Sequence, residues 1–355
     1  SLCGRQRITG QEREKAWDMR RASIQFTLTS SMDYLSLIKT PISTELEEFR
    51  RLFDASLSSP NPLLQSVITH LRQKSGKMMR PMLVMLVARQ YGLVTDKALH
   101  AAVSLELLHT ASLVHDDVVD ESGERRGQLS VNAVFNNKVA VLAGDYLLAT
   151  SLVQVELTRD HRIVEVVARL GQDLAEGELL QLSNVDNLDF SESIYFDVIR
   201  KKTAALFAAC TKAGALSAGA TDELVERARL LGEYIGICFQ IKDDIFDYYD
   251  NPAIGKPTGN DMHEGKLTLP VLYVLNTLAD PLMRELAVRV KQGTASPDDV
   301  ARLVQYTKEG GGIEYASCVM HRYRDLALDL LSGLADDSLR RAFTAYLDYV
   351  VEREK

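Results

Sequence analysis

Two clusters of aspartates are the residues of this sequence best suited to chemistry. Each cluster holds three aspartates within five residues, and the second follows the first by 127 residues. On a helix, the first and last carboxylates of a cluster lie one turn apart on the same face, where like charges repel unless they share a cation. Carboxylate oxygens without His or Cys favour Mg²⁺, or Mn²⁺, over Zn²⁺. The predicted metal ligands are Asp116, Asp117, Asp120, Asp243, Asp244 and Asp247.

A solvated acidic helix end is the simpler interpretation of either cluster alone. However, Val118 and Val119 interrupt the first cluster, Ile245 and Phe246 interrupt the second, and apolar sequence precedes both. Helices of that composition are mostly buried, and unpaired carboxylates are costly in a buried helix. Two such clusters in one chain therefore favour a metal site.

Basic residues recur beside predicted turns and helix starts. Arginine can bind an anion through two parallel hydrogen bonds, and a glycine-containing turn can close around one. Taken singly, each of these residues is a typical surface charge. Interleaved with metal-binding carboxylates, they predict a site for a diphosphate held through Mg²⁺. The candidate anion-binding residues are Gly76, Lys77, Arg80, Arg125, Arg126, Lys202 and Lys256.

Long helices are predicted to position these residues. The 355 residues include only 21 glycines and 9 prolines, and alternation with a period of two is hard to find. Apolar residues at helical spacing over 98–120 place the first cluster in the last turns of a helix, which Gly123 is expected to end. The second cluster ends another apolar helix before Asn251-Pro252, and residues 204–219 are typical of a buried helix.

Helix-start signals and the lack of linkers predict a single all-α domain over 32–355. Thr44 with Glu47 fits a capping box, and Asn61-Pro62 and Ser296-Pro297 each place a capping side chain before a proline. Residues 1–31 differ, with six basic and three acidic side chains and little apolar periodicity. We expect them to be a flexible or non-native extension.

The composition excludes several classes of protein. With 41 basic and 49 acidic side chains, the net charge of −8 gives no basic excess for binding nucleic acid. The four cysteines show no close spacing, so neither a zinc site nor a disulfide framework is indicated, and we expect a cytoplasmic location. No apolar run reaches the roughly 18 residues typical of a membrane span, so the chain is expected not to be transmembrane.

The motifs resemble those of the all-trans isoprenyl diphosphate synthases, above all the long-chain octaprenyl and solanesyl types. The match runs from about Ser43 to near the C-terminus. In one departure, Ser75-Gly76-Lys77 stands where the family usually has Gly-Gly-Lys, and Met78 and Met79 stand where a basic residue is common. This departure predicts weaker binding of one diphosphate. The matching segments are 109–120 with 125–127, 144–147, 176–178, 202–203, 239–247, 255–256, 266–270 and 313–316.

The resemblance implies a homodimer of the isoprenoid synthase type I fold, a single large helical bundle around a central cavity. Three Mg²⁺ ions would join the two motifs to an allylic diphosphate, two of them at Asp116 and Asp120 and the third at Asp243. The family's basic residues would hold the two substrates, the allylic diphosphate and isopentenyl diphosphate. By position these are Arg125, Lys202 and Lys256 for the first substrate, and Lys77, Arg80, His109 and Arg126 for the second.

The resemblance also implies a mechanism. Departure of pyrophosphate leaves an allylic cation, which the Lys202 carbonyl, the Thr203 hydroxyl and the Gln240 side chain would stabilise. The isopentenyl double bond would then attack that cation in a cavity that excludes water. The enzyme is therefore predicted to be a prenyl-transferring transferase.

Product length is expected to depend on the helix that carries the first motif. The growing chain would run away from Asp116, and the side chains one turn back are Ala111 and Ser112, with Leu108 as a possible floor. Family members that stop early carry a large aromatic residue there. Two small side chains predict a long-chain polyprenyl diphosphate, which would partition into membranes.

Three alternatives remain open from the sequence. A short- or medium-chain synthase, making farnesyl or geranylgeranyl diphosphate, would share the motifs. A class I terpene cyclase would need no second diphosphate site, so Lys77, Arg80 and Arg126 count against it. A non-catalytic regulatory subunit would have no need of two intact aspartate motifs.

Overall fold

The computed structural model describes residues 33–73, 76–125, 127–183, 190–249 and 258–353, so the predicted extension 1–31 lies outside the described residues. The described chain is almost wholly helical, which confirms the all-α prediction. The helices are α1 (Tyr34–Lys39), α2 (Ser43–Ser56), α3 (Pro62–Arg72), α4 (Met79–Tyr91), α5 (Asp96–Val119), α6 (Val131–Phe135), α7 (Asn137–Glu156), α8 (His161–Ser183), α9 (Glu192–Ile199), α10 (Ala205–Ser217), α11 (Asp222–Phe246), α12 (Asn260–His263), α13 (Leu269–Thr277), α14 (Pro281–Lys291), α15 (Pro297–Glu309), α16 (Gly312–Leu330) and α17 (Asp337–Glu352).

One short hairpin interrupts the helices of the described chain. Its strands, β1 (Glu124–Arg125) and β2 (Gln128–Leu129), pair antiparallel directly after α5. The hairpin holds Arg125 beside the end of the helix that carries the first aspartate motif.

The core lies around α10, where eleven of the thirteen residues are buried. This confirms the buried helix predicted from the sequence. α10 packs against α4 and α11, and glycines allow the close approach. A Cβ added at Gly214 would lie 2.5 Å from the Val84 carbonyl oxygen of α4, and one at Gly232 of α11 would lie 2.4 Å from the Phe207 carbonyl oxygen.

Two of the three predicted helix starts are confirmed. The Asn61 side chain accepts hydrogen bonds from the N–H groups of Leu63 and Leu64, and Ser296 forms a capping box with Asp299 at α15. The predicted capping box at Thr44 is wrong. A 3₁₀ turn, Thr40–Ile42, leads directly into α2 and leaves an apolar residue in the cap position.

The helix with the first motif ends four residues before Gly123, so that predicted boundary is wrong. Glu121 adopts a left-handed φ of 50°, a conformation more usual for glycine. The Ser122 N–H donates to the Asp117 carbonyl oxygen at 2.9 Å, and the Glu121 N–H donates to that of Val118 at 3.4 Å. This is the Schellman pattern, and it fixes the chain direction immediately after the aspartates.

A π-helical turn, Arg200–Ala204, joins α9 to α10 and carries Lys202 and Thr203. Turns of this kind are frequent at functional sites. Two glycines make room for it: a Cβ at Gly177 of α8 would lie 3.0 Å from the Lys202 nitrogen, and one at Gly236 of α11 would lie 2.5 Å from the Ala204 Cα. The turn is therefore clamped between α8 and α11.

This packing predicts that Gly236→Ala destabilises the protein by about 1–3 kcal/mol, because a backbone atom cannot rotate away from the added methyl group. Gly171→Ala in α8 is the matched control, since nothing lies within 4 Å of its added Cβ. The control should stabilise the helix by about 0.5–1 kcal/mol. Urea unfolding followed by circular dichroism measures both, and equal free energies of unfolding for the two variants would contradict the clamp.

Candidate active site

A cavity of about 480 Å³ brings the two aspartate motifs to one place. Asp120 at the end of α5 and Asp244 on α11 both line it. The three predicted catalytic residues, Lys202, Thr203 and Gln240, line the same cavity. One carboxylate from each motif and the three residues predicted to be catalytic, far apart in the sequence, thus line one cavity.

Asp116 is half-buried in the first motif. Burial raises the pKa of its carboxyl to about 6, and the charge of Glu178 adds to the rise, while the nearby Lys202 ammonium opposes it. Lys202 Nζ also lies 2.5 Å from Glu178 Oε2 and donates to Gln181 Oε1 at 3.3 Å. A second cation close to Asp116 would therefore stabilise its charged form.

Asp117 and Arg125 neutralise each other. Arg125 donates from Nε at 2.8 Å, and its terminal nitrogen lies 2.7 Å away from the same Asp117 oxygen. This pair ties the hairpin to the end of α5. Both contacts use the same Asp117 oxygen, and the predicted roles of Asp117 as a metal ligand and of Arg125 as a diphosphate ligand stay predictions.

Asp244 is buried in the second motif and is engaged by protein donors at both oxygens. Its carboxylate accepts from the Tyr195 hydroxyl at 2.5 Å and from Gln240 Nε2 at 2.8 Å, and the residue is 2% exposed. Burial raises the pKa of Asp244 well above its usual value, and it also raises the pKa of Tyr195. The role of Asp244 as a metal ligand likewise stays a prediction.

The other two carboxylates of the second motif face different partners. Asp243 accepts a hydrogen bond from Arg353 at 2.6 Å and has a side chain that is 42% exposed. Asp247 accepts from the Asp261 N–H at 3.2 Å, which holds the first turn of α12 against the motif. Asp243 is therefore partly open to an incoming ion.

The predicted isopentenyl-diphosphate residues lie against aromatic rings and α17. Lys77 Nζ donates to the Tyr349 hydroxyl at 2.6 Å. The Arg80 guanidinium lies 5.2 Å from the centre of the Phe207 ring and 5.7 Å from that of Phe239. The Arg353 guanidinium also lies over the Phe239 ring, 3.9 Å from its centre.

The remaining candidate substrate-binding and chain-length residues are partly buried, buried, exposed or outside the described ranges. Gly76 is exposed, and His109 is half-buried on α5. Arg126 and Lys256 lie outside the described residues. Ala111 and Leu108 are buried at 2% and 5% exposure, and the Ser112 hydroxyl donates to the His109 carbonyl oxygen at 2.9 Å. The cavity between the motifs is not lined by Ala111, Ser112 or Leu108, so the product path along α5 stays a prediction.

The donor set fits a metal ion that is bound together with a diphosphate. Within the described ranges, no three His, Cys, Asp or Glu side chains converge closely enough to hold an ion by themselves. Mg²⁺ commonly binds through one or two carboxylates, with phosphate oxygens and water completing its shell. The separated carboxylates of the two motifs match that mode rather than a closed protein cage.

Sequence reasoning assigned no role to several residues that the structure places at the site. Glu178 lies in a segment that matches the family, so position alone could have suggested it, whereas Asp261 lies between two such segments. Tyr195 stands alone in an amphipathic helix and Arg353 stands almost at the C-terminus, and neither carries a local signal. Their hydrogen bonds to Asp244 and Asp243 of α11 reveal them.

The raised pKa of Asp116 predicts a pH-dependent stability in the absence of metal. Its folded-state pKa of about 6 exceeds the reference value of 3.8, so the folded state keeps this proton to higher pH than the unfolded state. The free energy of unfolding should therefore fall as the pH rises from about 4 to about 7. Urea unfolding in a chelator measures it, and Asp116→Asn should reduce the slope. If the free energy of unfolding changed with pH equally in the wild-type protein and in Asp116→Asn, the raised pKa of Asp116 would be contradicted.

Comparisons with known proteins show which family the chain belongs to. The polyprenyl synthetase family model matches residues 61–307. The chain is 36% identical over 322 residues to heptaprenyl diphosphate synthase component 2 of Geobacillus stearothermophilus, which covers 90% of this chain and 98% of that protein.

Two solved structures are similar over nearly the whole fold. A geranylgeranyl pyrophosphate synthase from Bacteroides thetaiotaomicron is 61% identical, with a TM-score of 0.80 and coverage of 91% of this chain and 100% of that one. A polyprenyl synthase from Caulobacter crescentus, solved with calcium and isoprenyl diphosphate, is 30% identical, with a TM-score of 0.83 and coverage of 90% and 98%. The chain therefore belongs to the polyprenyl synthetase family, and it is a transferase that elongates prenyl diphosphates.

Proposed function

We propose that this protein condenses an allylic diphosphate with successive isopentenyl diphosphates to give a long-chain all-trans polyprenyl diphosphate. The observation that carries the proposal is the single cavity that collects Asp120, Asp244, Lys202, Thr203 and Gln240. Carboxylates, a lysine and neutral oxygens in one cavity are what ionisation of a diphosphate ester requires: cation binding, anion binding and stabilisation of a carbocation.

Asp116, Asp120 and Asp243 are the proposed ligands of three Mg²⁺ ions. Mg²⁺ would supply charge neutralisation to the departing pyrophosphate. Asp116 suits this role because burial raises its pKa, and Asp243 suits it because its side chain is partly exposed. Binding at Asp243 requires its Arg353 partner to move or to share the carboxylate. Asp117 and Asp244, which are buried and hydrogen-bonded to protein donors, organise the site.

The protein's own side chains bind and orient the two substrates. Lys202 and Arg125 hold the allylic diphosphate. Lys77 and Arg80 hold isopentenyl diphosphate, and the aromatic rings beside Arg80 keep its guanidinium in place. The Thr203 hydroxyl and the Gln240 amide oxygen face the allylic cation.

Apolar side chains form one part of the cavity wall. Ile194 and Val198 of α9 and Leu272 of α13 line it, together with Phe190 just before α9. An allylic cation that met water would become an alcohol, so a dry wall protects the condensation. The released pyrophosphate is the proposed acceptor of the proton lost after attack.

A long product is favoured by the small side chains of Ala111 and Ser112, one turn before the first motif. The similar proteins carry names for products of different length, heptaprenyl in one case and geranylgeranyl in another. A geranylgeranyl product is therefore the second candidate, and product sizing separates the two.

We also propose that the protein is a homodimer that associates through α7. This helix exposes large apolar side chains, including Leu142 at 68%, Leu152 at 52% and Val153 at 59%. Among the described residues, α7 alone has the length and apolar composition of a membrane span. Core helices often have the same length and composition. Two charged residues, Asp145 and Glu156, are exposed on α7. Several large apolar side chains exposed on one helix are typical of a protein interface.

The function is tested with the purified protein, farnesyl diphosphate, labelled isopentenyl diphosphate and Mg²⁺, by sizing the products. We expect elongation beyond the geranylgeranyl length, and loss of activity of about a hundredfold or more in Asp116→Asn and Asp243→Asn. Ala111→Phe should shorten the product sharply, because a ring one turn before the motif blocks the path along α5.

Three outcomes would contradict parts of this proposal. A geranylgeranyl product from the wild-type protein would replace the long-chain assignment. An unchanged product length in Ala111→Phe would exclude the path along α5. No elongation by the protein alone would favour a non-catalytic regulatory subunit.

The dimer is tested by light scattering after size-exclusion chromatography. Leu142→Glu combined with Val153→Glu should convert the dimer to a monomer, because two charges would be buried without partners. Leu93→Glu is the matched control, since Leu93 is 70% exposed but lies outside α7. A monomeric wild-type protein would contradict the homodimer and would point to a non-identical partner, which the name "component 2" of the Geobacillus stearothermophilus relative suggests for that protein.

A further inference from the structure

A chain of hydrogen bonds crosses the site from α9 through α11 to the π-helical turn. The Tyr195 hydroxyl donates to Asp244 Oδ2 at 2.5 Å. Gln240 Nε2 donates to the other oxygen of that carboxylate at 2.8 Å. The Thr203 hydroxyl donates to Gln240 Oε1 at 2.6 Å. Four side chains from three elements therefore hold one another in a fixed order.

This order decides which way the Gln240 amide points. An amide can present its oxygen or its NH₂ group to a given neighbour by a half-turn of its terminal torsion. In this structure Gln240 turns its NH₂ group to Asp244 Oδ1 and its oxygen to the Thr203 hydroxyl. The amide oxygen thus faces Thr203, and both residues line the cavity, where an oxygen would stabilise a cation. The reversed amide would present N–H groups to the cation and repel it.

Tyr195 controls how firmly Asp244 imposes that orientation. The carboxylate is 2% exposed, so water cannot replace a lost donor easily, and Tyr195 itself is 8% exposed. With both oxygens engaged, the carboxylate cannot rotate. Without the hydroxyl, one hydrogen bond from Gln240 would remain, and the carboxylate and amide could rotate together.

We propose that Tyr195 is a positioning residue for prenyl transfer, acting through Asp244 to fix the amide oxygen of Gln240 toward the allylic cation. This inference rests on the proposed function. It assigns Tyr195 no contact with the reacting atoms. It predicts that the hydroxyl affects the ionisation step and leaves diphosphate binding unchanged.

The test is Tyr195→Phe, which keeps the ring and its edge contact with Phe196, whose centre lies 5.3 Å away. We expect kcat for the first condensation to fall by about tenfold to a hundredfold, because a misplaced group at the reacting centre has effects of that size. KM for both diphosphates should stay within about twofold, since no group that binds them is removed. Unchanged kcat in a folded variant would overturn the inference.

Tyr315→Phe is the matched control. Its hydroxyl also donates to a carboxylate, Glu192 Oε2, at 2.8 Å, and that glutamate begins the helix that carries Tyr195. Loss of this hydrogen bond should leave kcat unchanged. An equal fall of kcat in both variants would show a general effect of loosening α9 and would overturn the inference.

A double-mutant cycle tests whether Tyr195 acts through Gln240. Gln240→Leu removes the amide at similar volume and should lower kcat on its own. In that background, Tyr195→Phe should cause no further loss. A full additional loss would mean that Tyr195 acts by another route and would overturn the inference.

If Tyr195→Phe does not fold, Asp244→Asn tests the same inference. We expect kcat to fall while the Mg²⁺ concentration for half-maximal activity and the Mg²⁺ affinity measured by calorimetry stay the same. A weakened Mg²⁺ affinity would make Asp244 a metal ligand instead and would overturn the positioning role. A wild-type protein without any elongation would refute the proposed function itself, whereas an active wild type with an equally active Tyr195→Phe refutes only this inference.

Discussion

The two aspartate motifs place carboxylates at buried helix ends, and a buried carboxylate is costly unless a cation or hydrogen-bond donors compensate for it. The surrounding structure supplies part of that compensation. Arg125 pairs with Asp117, Arg353 pairs with Asp243, and two donors hold Asp244. Asp116 has a pKa raised to about 6, so burial still acts against its charge. The site is thus prepared for metal ions that arrive with a diphosphate.

Close helix packing keeps these carboxylates in position. The Schellman pattern around Glu121 fixes the end of α5, and Gly177 and Gly236 let α8 and α11 approach the π-helical turn. That turn brings Lys202 and Thr203 to the cavity. Glycine is required at these contacts because any added Cβ would meet backbone atoms, which cannot rotate away. The catalytic geometry therefore depends on a few small residues in the core as much as on the charged residues.

The sequence predicted site residues that form local motifs. It did not predict those whose role depends on contacts between distant segments. Three aspartates in five residues, repeated in one chain, predicted the site, and helical periodicity predicted α5 and α10. The boundary at Gly123 was wrong because Glu121 takes the left-handed position that glycine usually fills. Tyr195 and Arg353 were missed because their partners lie 49 and 110 residues away along the chain. No pattern of spacing encodes such pairs.

The central claim is that the two motifs bind Mg²⁺ together with a diphosphate and do not form a metal site alone. Titration calorimetry with Mg²⁺, in the absence and presence of a non-reactive thiolo analogue of farnesyl diphosphate, tests it most directly. The account predicts weak binding without the analogue and at least tenfold tighter binding with it, lost in Asp116→Asn and Asp243→Asn. Equally tight Mg²⁺ binding without the analogue would contradict the account.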